Sequence, residues 1–316
     1  MKTASLLFVS LALSPLFSHA KTLWSLTMDN DSMVTSDRDY SSGITLGFST
    51  ELESEPSYLS WFDKSSDRLY FGIDFGQKLW TPDDIESTTQ KPNERPYAGL
   101  SYLDSHLASG DSNTYQNIHV LMGVMGRNAQ ADSTQTFVHD IIGSPKPRGW
   151  EHQIEESFVY QLGYSHQKLL SRSSGLLGET EISWTNRLEL GNFRSELGSG
   201  VLFRWGDALG NSFGSIAIKY DNPAHRLRLD DGRSGWFLFS GLEARYRHND
   251  ITITGQRPDE KYPVSVTHFQ STAILGGLAH YKDVGASLTF SLKTPDFKED
   301  QFDFHGTGSL SLFWLF

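Results

Sequence analysis

The last ten residues, Thr307 to Phe316, read TGSLSLFWLF. Laid out as an extended chain, they put Leu310, Leu312, Trp314 and Phe316 on one face and Ser309 and Ser311 on the other, because successive side chains of a strand point to opposite sides. Val284 to Lys293 repeats the pattern: Val284, Ala286, Leu288, Phe290 and Leu292 alternate with Gly285, Ser287, Thr289, Ser291 and Lys293. So do Ile44, Leu46 and Phe48 against Thr45, Gly47 and Ser49, and Leu69, Phe71, Ile73 and Phe75 against Tyr70, Gly72, Asp74 and Gly76. A period of two sustained over stretches of this length marks strands.

A soluble sandwich also alternates. Here the polar faces are Gly, Ser and Thr, as in a packed or watery lumen, and the apolar faces carry Phe, Trp and Leu up to the final residue. That is the wall of a membrane barrel with its aromatic girdles. A terminal phenylalanine on the outward face is also the usual assembly signal of outer-membrane barrels. The expected fold is all-β, a transmembrane antiparallel β-barrel of about twelve strands. The strands are expected at 22–30, 40–50, 68–79, 96–109, 114–126, 151–167, 179–191, 196–206, 234–248, 265–281, 284–294 and 305–316. The connection 206–235 is long, and Gly214 to Tyr220 within it reads as one more candidate strand.

Composition agrees. No apolar run reaches the ~20 residues of a spanning helix. The chain has 316 residues, no cysteine and a formal net charge of −11. Disulfides, thiol catalysis and zinc–thiolate sites are excluded, and a nucleic-acid partner is not expected of so acidic a chain. Residues 1–20, MKTASLLFVSLALSPLFSHA, have a positive start, an apolar middle and a Ser18-His19-Ala20 end, the pattern of a secretory signal peptide. The mature barrel is then residues 21–316, a single domain.

With both termini on the periplasmic side, the connections from strand 1 to 2, 3 to 4 and 5 to 6 are extracellular. They hold the unusual residues: Asp29-Asn30-Asp31, Asp37-Arg38-Asp39-Tyr40-Ser41-Ser42-Gly43, Gln77, Thr81-Pro82-Asp83-Asp84, Glu94-Arg95-Pro96-Tyr97-Ala98-Gly99, and His139-Asp140-Ile141-Ile142-Gly143 with Trp150 and Gln153. A passive pore needs no such clustering at one half of one rim. Each element also has a plainer reading. Asp29-Asn30-Asp31 suits a turn. Thr81-Pro82 suits a helix start. Phe137 to Gly143 suits one amphipathic helical turn with Ile141 and Ile142 against the barrel.

The ordered set is more telling than its parts. Asn30-Asp31, Asp37-Arg38-x-Tyr40-Ser41-x-Gly43, Gln77-x-x-x-Thr81-Pro82, Glu94-Arg95-Pro96-Tyr97-Ala98-Gly99 and His139-x-Ile141-Ile142-Gly143 with Trp150-x-x-Gln153-Ile154 resemble the outer-membrane lipid A 3′-O-deacylase family. The resemblance is clearest over residues 24–165. It implies a twelve-stranded barrel in the outer membrane of a Gram-negative bacterium. It also implies a hydrolase, acting as a monomer on an acyl ester of lipid A (lipopolysaccharide) in the outer leaflet, with calcium as cofactor. By position, His139 matches the catalytic histidine that activates water, Asn30 and Asp31 match polar site residues, and Ser41 matches a Thr/Ser position beside them. The family's lysine after the third strand has only Lys91 as counterpart in that loop, and its acidic residue after the histidine falls near Pro145. Gln77, Lys91, Glu94, Arg95 and Arg148 are the candidate substitutes.

The residue types suit the chemistry. Ester hydrolysis near neutral pH needs a base, and histidine is the natural one. Asp31 is a candidate to orient the imidazole or to bind a hard cation through oxygen. A rival wiring makes Ser41 the nucleophile and His139 its base. Two other readings stand beside the esterase. One is a non-catalytic barrel, either channel or structural. The other is a phospholipase-type barrel acting on a glycerolipid.

Overall fold

A computed structural model describes residues 22–34, 39–52, 68–224 and 234–316. The expected leader 1–20 lies outside the described residues, as do Asp37 and Arg38. Twelve strands follow in order: β1 Thr22–Asn30, β2 Asp39–Glu51, β3 Leu69–Thr81, β4 Ala98–Gly110, β5 Thr114–Met125, β6 Ser157–Gly175, β7 Gly178–Gly191, β8 Arg194–Gly206, β9 Gly235–Asp250, β10 Phe269–Tyr281, β11 Val284–Lys293 and β12 His305–Leu315. Each is bonded to its neighbours in sequence, and β12 is bonded to β1, so the sheet closes. Antiparallel register at the seam pairs Leu23 with Leu315 and Met28 with Leu310. Closure removes every free sheet edge, which a chain in hydrocarbon requires.

Alternation becomes sidedness. Leu310, Leu312, Leu288 and Phe290 are exposed on the outer surface, while Ser309, Ser311, Ser287 and Thr289 are buried inside. Apolar groups left open on this scale belong against lipid rather than water.

The interior is filled with paired charge. Arg247 reaches Glu196 at 2.7 Å, Asp250 at 2.8 Å and Asp296 at 2.9 Å. Arg187 binds Glu243 at 2.7 Å and also pairs with Glu196. His119 stands between Asp104 at 2.9 Å and Glu189 at 3.0 Å. Pairing is the condition on which charges stay buried.

The connection between β8 and β9 corrects one expectation. Gly214 to Tyr220 adds no wall strand; it lies inside the barrel. Leu209, Ile216, Ile218 and Ala224 pack with Leu23, Leu202, Phe237, Phe239, Ile274, Leu278 and Phe313, which come from β1, β8, β9, β10 and β12. The segment turns back on itself through an isolated Ile216–Ala224 bridge and an Ala217 N–H to Pro223 carbonyl bond of 2.9 Å. At its base Arg204 donates to the Ser212 carbonyl at 2.9 Å and the Leu209 carbonyl at 2.8 Å, and pairs with Glu181. Its apolar residues gave the strand-like pattern because they bury against the inner wall.

The other differences are local. β6 starts at Ser157 instead of 151, since Trp150–His152 forms a 3-10 turn. β10 starts at Phe269 instead of 265, with Val266 in an isolated bridge to Phe297. No helix follows Thr81-Pro82, and 82–97 runs as turns and coil. A longer helix than expected, α1, spans Ala131–Ile142. Ile141 and Ile142 do not pack on the barrel: they are 67% and 65% exposed, and Ala131, Gln135 and His139 form the buried face. Spacing by four puts those three on one side; Ile141 falls away from that face, and Ile142, three residues past His139, is left open at the helix end.

Candidate functional site on the outer wall

The loops that carry most of the candidate residues lie at the rim opposite the one where the Thr22 N–H donates to the Phe316 carbonyl at 3.0 Å. Longer connections mark the outer rim of such barrels.

At this rim the register lays out a row on the outer face. Asn30 pairs with Ser42, and Ser42 pairs with Leu79, which pairs with Gly99. The inward neighbours fix the sense of the row: Asp29 and Tyr40 are buried, and the Tyr40 hydroxyl donates to Asp29 Oδ2 at 2.9 Å. α1 is seated on the far end of the row. Ala131 packs with Leu79, Tyr97 and Trp150. A Cβ on Gly99 would collide with the Ala131 methyl, so the helix comes this close only because position 99 is glycine. Gln77 Nε2 at 2.6 Å and Ser101 Oγ at 2.9 Å both donate to the Ala129 carbonyl, just before the helix. Tyr97 and Trp150 lie against each other at a tilt, with centroids 4.8 Å apart, and Trp150 Nε1 donates to Gln135 Oε1 at 2.7 Å.

His139 continues the wall-facing side of α1, two turns beyond Ala131. Its carbonyl accepts from Gly143 N at 2.9 Å, and Gly143 takes the left-handed conformation that ends the helix. The chain then folds back so that His139 Nδ1 meets the Pro145 carbonyl oxygen at 2.6 Å. A carbonyl can only accept, so Nδ1 carries the hydrogen and Nε2 is the basic nitrogen of the ring.

Asn30 ends β1 and caps the 3-10 turn Asp31–Met33, its Oδ1 accepting from Ser32 N at 2.8 Å. With Oδ1 committed to the cap, the Nδ2 hydrogens are the donors left to the amide. Asp31 is fully buried on this turn, which lies against β12 with Met33 over Gly308. Ser41 is the extra residue of a bulge in β2, and its hydroxyl is hydrogen-bonded to Thr81.

The remaining candidates are placed apart. Gln77 lies beneath the helix, tied to Ala129. Lys91 pairs with Asp84 in the loop above, and that hydrogen bond holds the Asp84 carboxyl below its ordinary range. Glu94 accepts from the Asp84 N–H at 3.3 Å, and burial pushes its carboxyl up. Arg148 is exposed, with its backbone bonded to the Ile85 carbonyl at 2.8 Å. Arg95 does not reach the outer wall; it pairs with Asp39, donates to Thr252 at 3.0 Å and lies over Trp80 on the lumen side. Ser101 and the Pro145 carbonyl were not singled out from sequence, and Thr81 was read as a helix start rather than as the partner of Ser41. Alternation from Leu79 points to Thr81; no sequence signal announces a backbone carbonyl.

Calcium takes six to eight oxygen ligands. Among the described residues no group of three or more His, Cys, Asp or Glu side chains gathers to hold a metal. Asp31 is the single carboxylate named on this row, so the described residues alone do not make the calcium site the resemblance implies.

A family model described as outer membrane protein LpxR matches residues 4–316. No curated protein matches the sequence. Among solved structures, LpxR from Salmonella typhimurium superposes with a TM-score of 0.80 at 17% identity, covering 93% of this chain and 100% of that one. The β domain of the Bordetella autotransporter BrkA gives a TM-score of 0.44 at 9% identity over 93% and 98%. The translocator domain of NalP from Neisseria meningitidis gives 0.38 at 9% over 93% and 88%.

Proposed function

The chain belongs to the family of the outer membrane protein LpxR, and from that premise we propose that it is an esterase of the outer membrane that removes a 3′-acyloxyacyl chain from lipid A. The observation that carries the reading is where the polar row lies. Asn30, Ser42 and the helix bearing His139 are on the outer face of the wall, at the outer rim, where a lipid's ester bonds are; the lumen behind is filled by the inward segment.

In the proposed reaction His139 Nε2 takes a proton from water, and the water oxygen attacks the ester carbonyl. Nδ1 is tied to the Pro145 carbonyl, which keeps the tautomer and the ring in place. At the position where the family has an acid, a backbone oxygen serves the same orienting role here. The Asn30 Nδ2 group donates to the oxyanion as charge develops, commonly the larger contribution to rate. When the tetrahedral intermediate collapses, the imidazolium returns its proton to the departing sugar hydroxyl, and a free fatty acid is released. The Ser41 and Thr81 hydroxyls are bonded to each other, an arrangement that suits a wall contact better than a nucleophile, so water is the preferred attacker. Closure of the sheet leaves no edge for a partner chain, and the protein is proposed to act as a monomer.

The test is the mass of lipid A from cells expressing the chain, its His139→Ala variant or its Ser41→Ala variant. The expected result is loss of a 3′-acyl mass with the unaltered chain and with Ser41→Ala, and none with His139→Ala. Identical spectra for the unaltered chain and an empty control would overturn the reading.

A further inference from the structure

The inward segment ends directly behind the polar row. Its tip, Tyr220-Asp221-Asn222, bonds to the lumen side of the same strands whose outer side carries Asn30 and Ser42. Asp221 pairs with Lys78 of β3. The Asn222 N–H donates to Asp29 Oδ1 at 3.2 Å, and Ser309 Oγ donates to the same oxygen at 2.6 Å. Tyr220 lies edge-on to Tyr40 with centroids 5.9 Å apart, and Lys293 Nζ stands 4.4 Å from the Tyr220 ring centroid. Ser291 Oγ donates to the Lys219 carbonyl at 3.3 Å.

Asp29 immediately precedes Asn30, and Tyr40 immediately precedes Ser41. In a strand, the residue behind and the residue in front share one stretch of backbone, so fixing Asp29 and Tyr40 on the lumen side fixes the peptide plane that aims Asn30 outward and the bulge that holds Ser41. Asn30 is also where the strand gives way to a turn, and β2 bulges at Tyr40 to Ser42. Both are places where a sheet's own ladder constrains the backbone least.

We propose that the tip Tyr220-Asp221-Asn222, arriving from the periplasmic side of the molecule, is a positioning element for the outer-wall site: it holds the β1 end and the β2 bulge in the geometry that the reaction needs. The proposal rests on the esterase reading for its kinetic consequence, and on the contacts alone for its structural one. Tyr220, Asp221 and Asn222 touch no substrate; they act through Asp29, Tyr40 and Lys78.

The test pairs Lys78→Met with Asp221→Asn in one full-length chain, so that no unpaired charge is left in the lumen, and compares Tyr220→Leu as a variant that changes no charge. Both are refolded into bilayers, and the heat-modifiable shift on gels reports the closed barrel. The expected result is a kcat lower by on the order of ten- to a hundredfold, the scale of a displacement of about an ångström, with KM little changed. Amide exchange at 30–33 and 40–42 is expected to be faster, and Asp221→Glu to recover part of the rate. Gln167→Leu, which removes a lumen bond to Ser183 far from the tip, should leave kcat unchanged. A folded double variant with unaltered kcat overturns the proposal. If the unaltered chain itself fails to deacylate, the esterase reading fails, and unchanged amide exchange in the variants then overturns the positioning role by itself.

Discussion

The seating of α1 on the wall depends on one carbonyl. Ala129 O accepts from Gln77 Nε2 at 2.6 Å and Ser101 Oγ at 2.9 Å, at the point where the chain leaves the β5 side and enters the helix. In Gln77→Ala or Ser101→Ala the carbonyl keeps one donor, and each change should cost ~1 kcal/mol, the net worth of an ordinary hydrogen bond. In the double variant it keeps neither, and a partly buried acceptor left unmet costs a further ~1–3 kcal/mol. The double change should therefore exceed the sum of the singles by about 1 kcal/mol or more, a coupling that only a shared partner produces. If the helix lifts from the wall by itself, without unfolding of the barrel, amide exchange over 131–142 should quicken about fivefold in each single variant. In the double variant it should quicken on the order of a hundredfold, since ~1.4 kcal/mol is a factor of ten. Exchange in β4 and β5 is the internal control and should not change. Strictly additive effects, or a double variant within threefold of the unaltered protein, would refute the view that this carbonyl fastens the helix.

Other outcomes follow from the same geometry. His139→Ala should lower deacylation by roughly 10²–10⁴, the usual contribution of a general base, with the heat-modifiable barrel intact; a fully active variant would remove His139 from the reaction. Ile141→Trp should fluoresce and be quenched by lipids brominated on their acyl chains, because Phe137 and Ile141 are exposed on the face of α1 away from the wall. An unquenched, water-like spectrum would show that the face does not meet lipid. Arg204→Met leaves Glu181 with Arg172 and takes one donor each from the Ser212 and Leu209 carbonyls. Breaking a buried pair in this way costs about 3–5 kcal/mol, and the thermal unfolding midpoint should fall, with part of the loss recovered by Glu181→Gln in the same chain. Lys91 holds the Asp84 carboxyl below its usual range. A depressed acid contributes its stabilisation above the unfolded value, about 3.9, and loses it as pH falls through the folded one. The loop 82–97 should then loosen to protease only in strongly acid solution, and Lys91→Gln should return the Asp84 titration, followed by NMR, to the ordinary carboxylate range.

Strand number was legible because it depends on a period-two pattern that lipid imposes on every strand. Leu310, Leu312 and Trp314 had to alternate with Ser309 and Ser311 whatever their neighbours were. The residues of the row were legible as unusual polar groups in three neighbouring loops. The face of α1 was not. Ile141 and Ile142 look like packing residues in a soluble protein, and the inward choice of Ala131, Gln135 and His139 depends on Gly99 lying across the wall, which no local pattern states. The same holds for Gly214 to Tyr220. Apolar residues packing against the inside of a barrel and apolar residues facing lipid have one composition, and only the closed sheet separates them. Arg95 was misplaced for a related reason: a loop-end arginine can turn to either side of the wall, and the buried Asp39 on the lumen side decides it.

The filled interior ties distant parts of the chain together. Leu209 to Ala224 belongs to the connection between β8 and β9, yet it contacts Tyr40 and Lys78 near the start of the chain and Phe313 near its end. A seam between β1 and β12 that came apart would therefore have to break lumen contacts as well as its own backbone bonds. The last ten residues, with which the reading of the fold began, are in this sense one half of a clasp that the plug also holds shut.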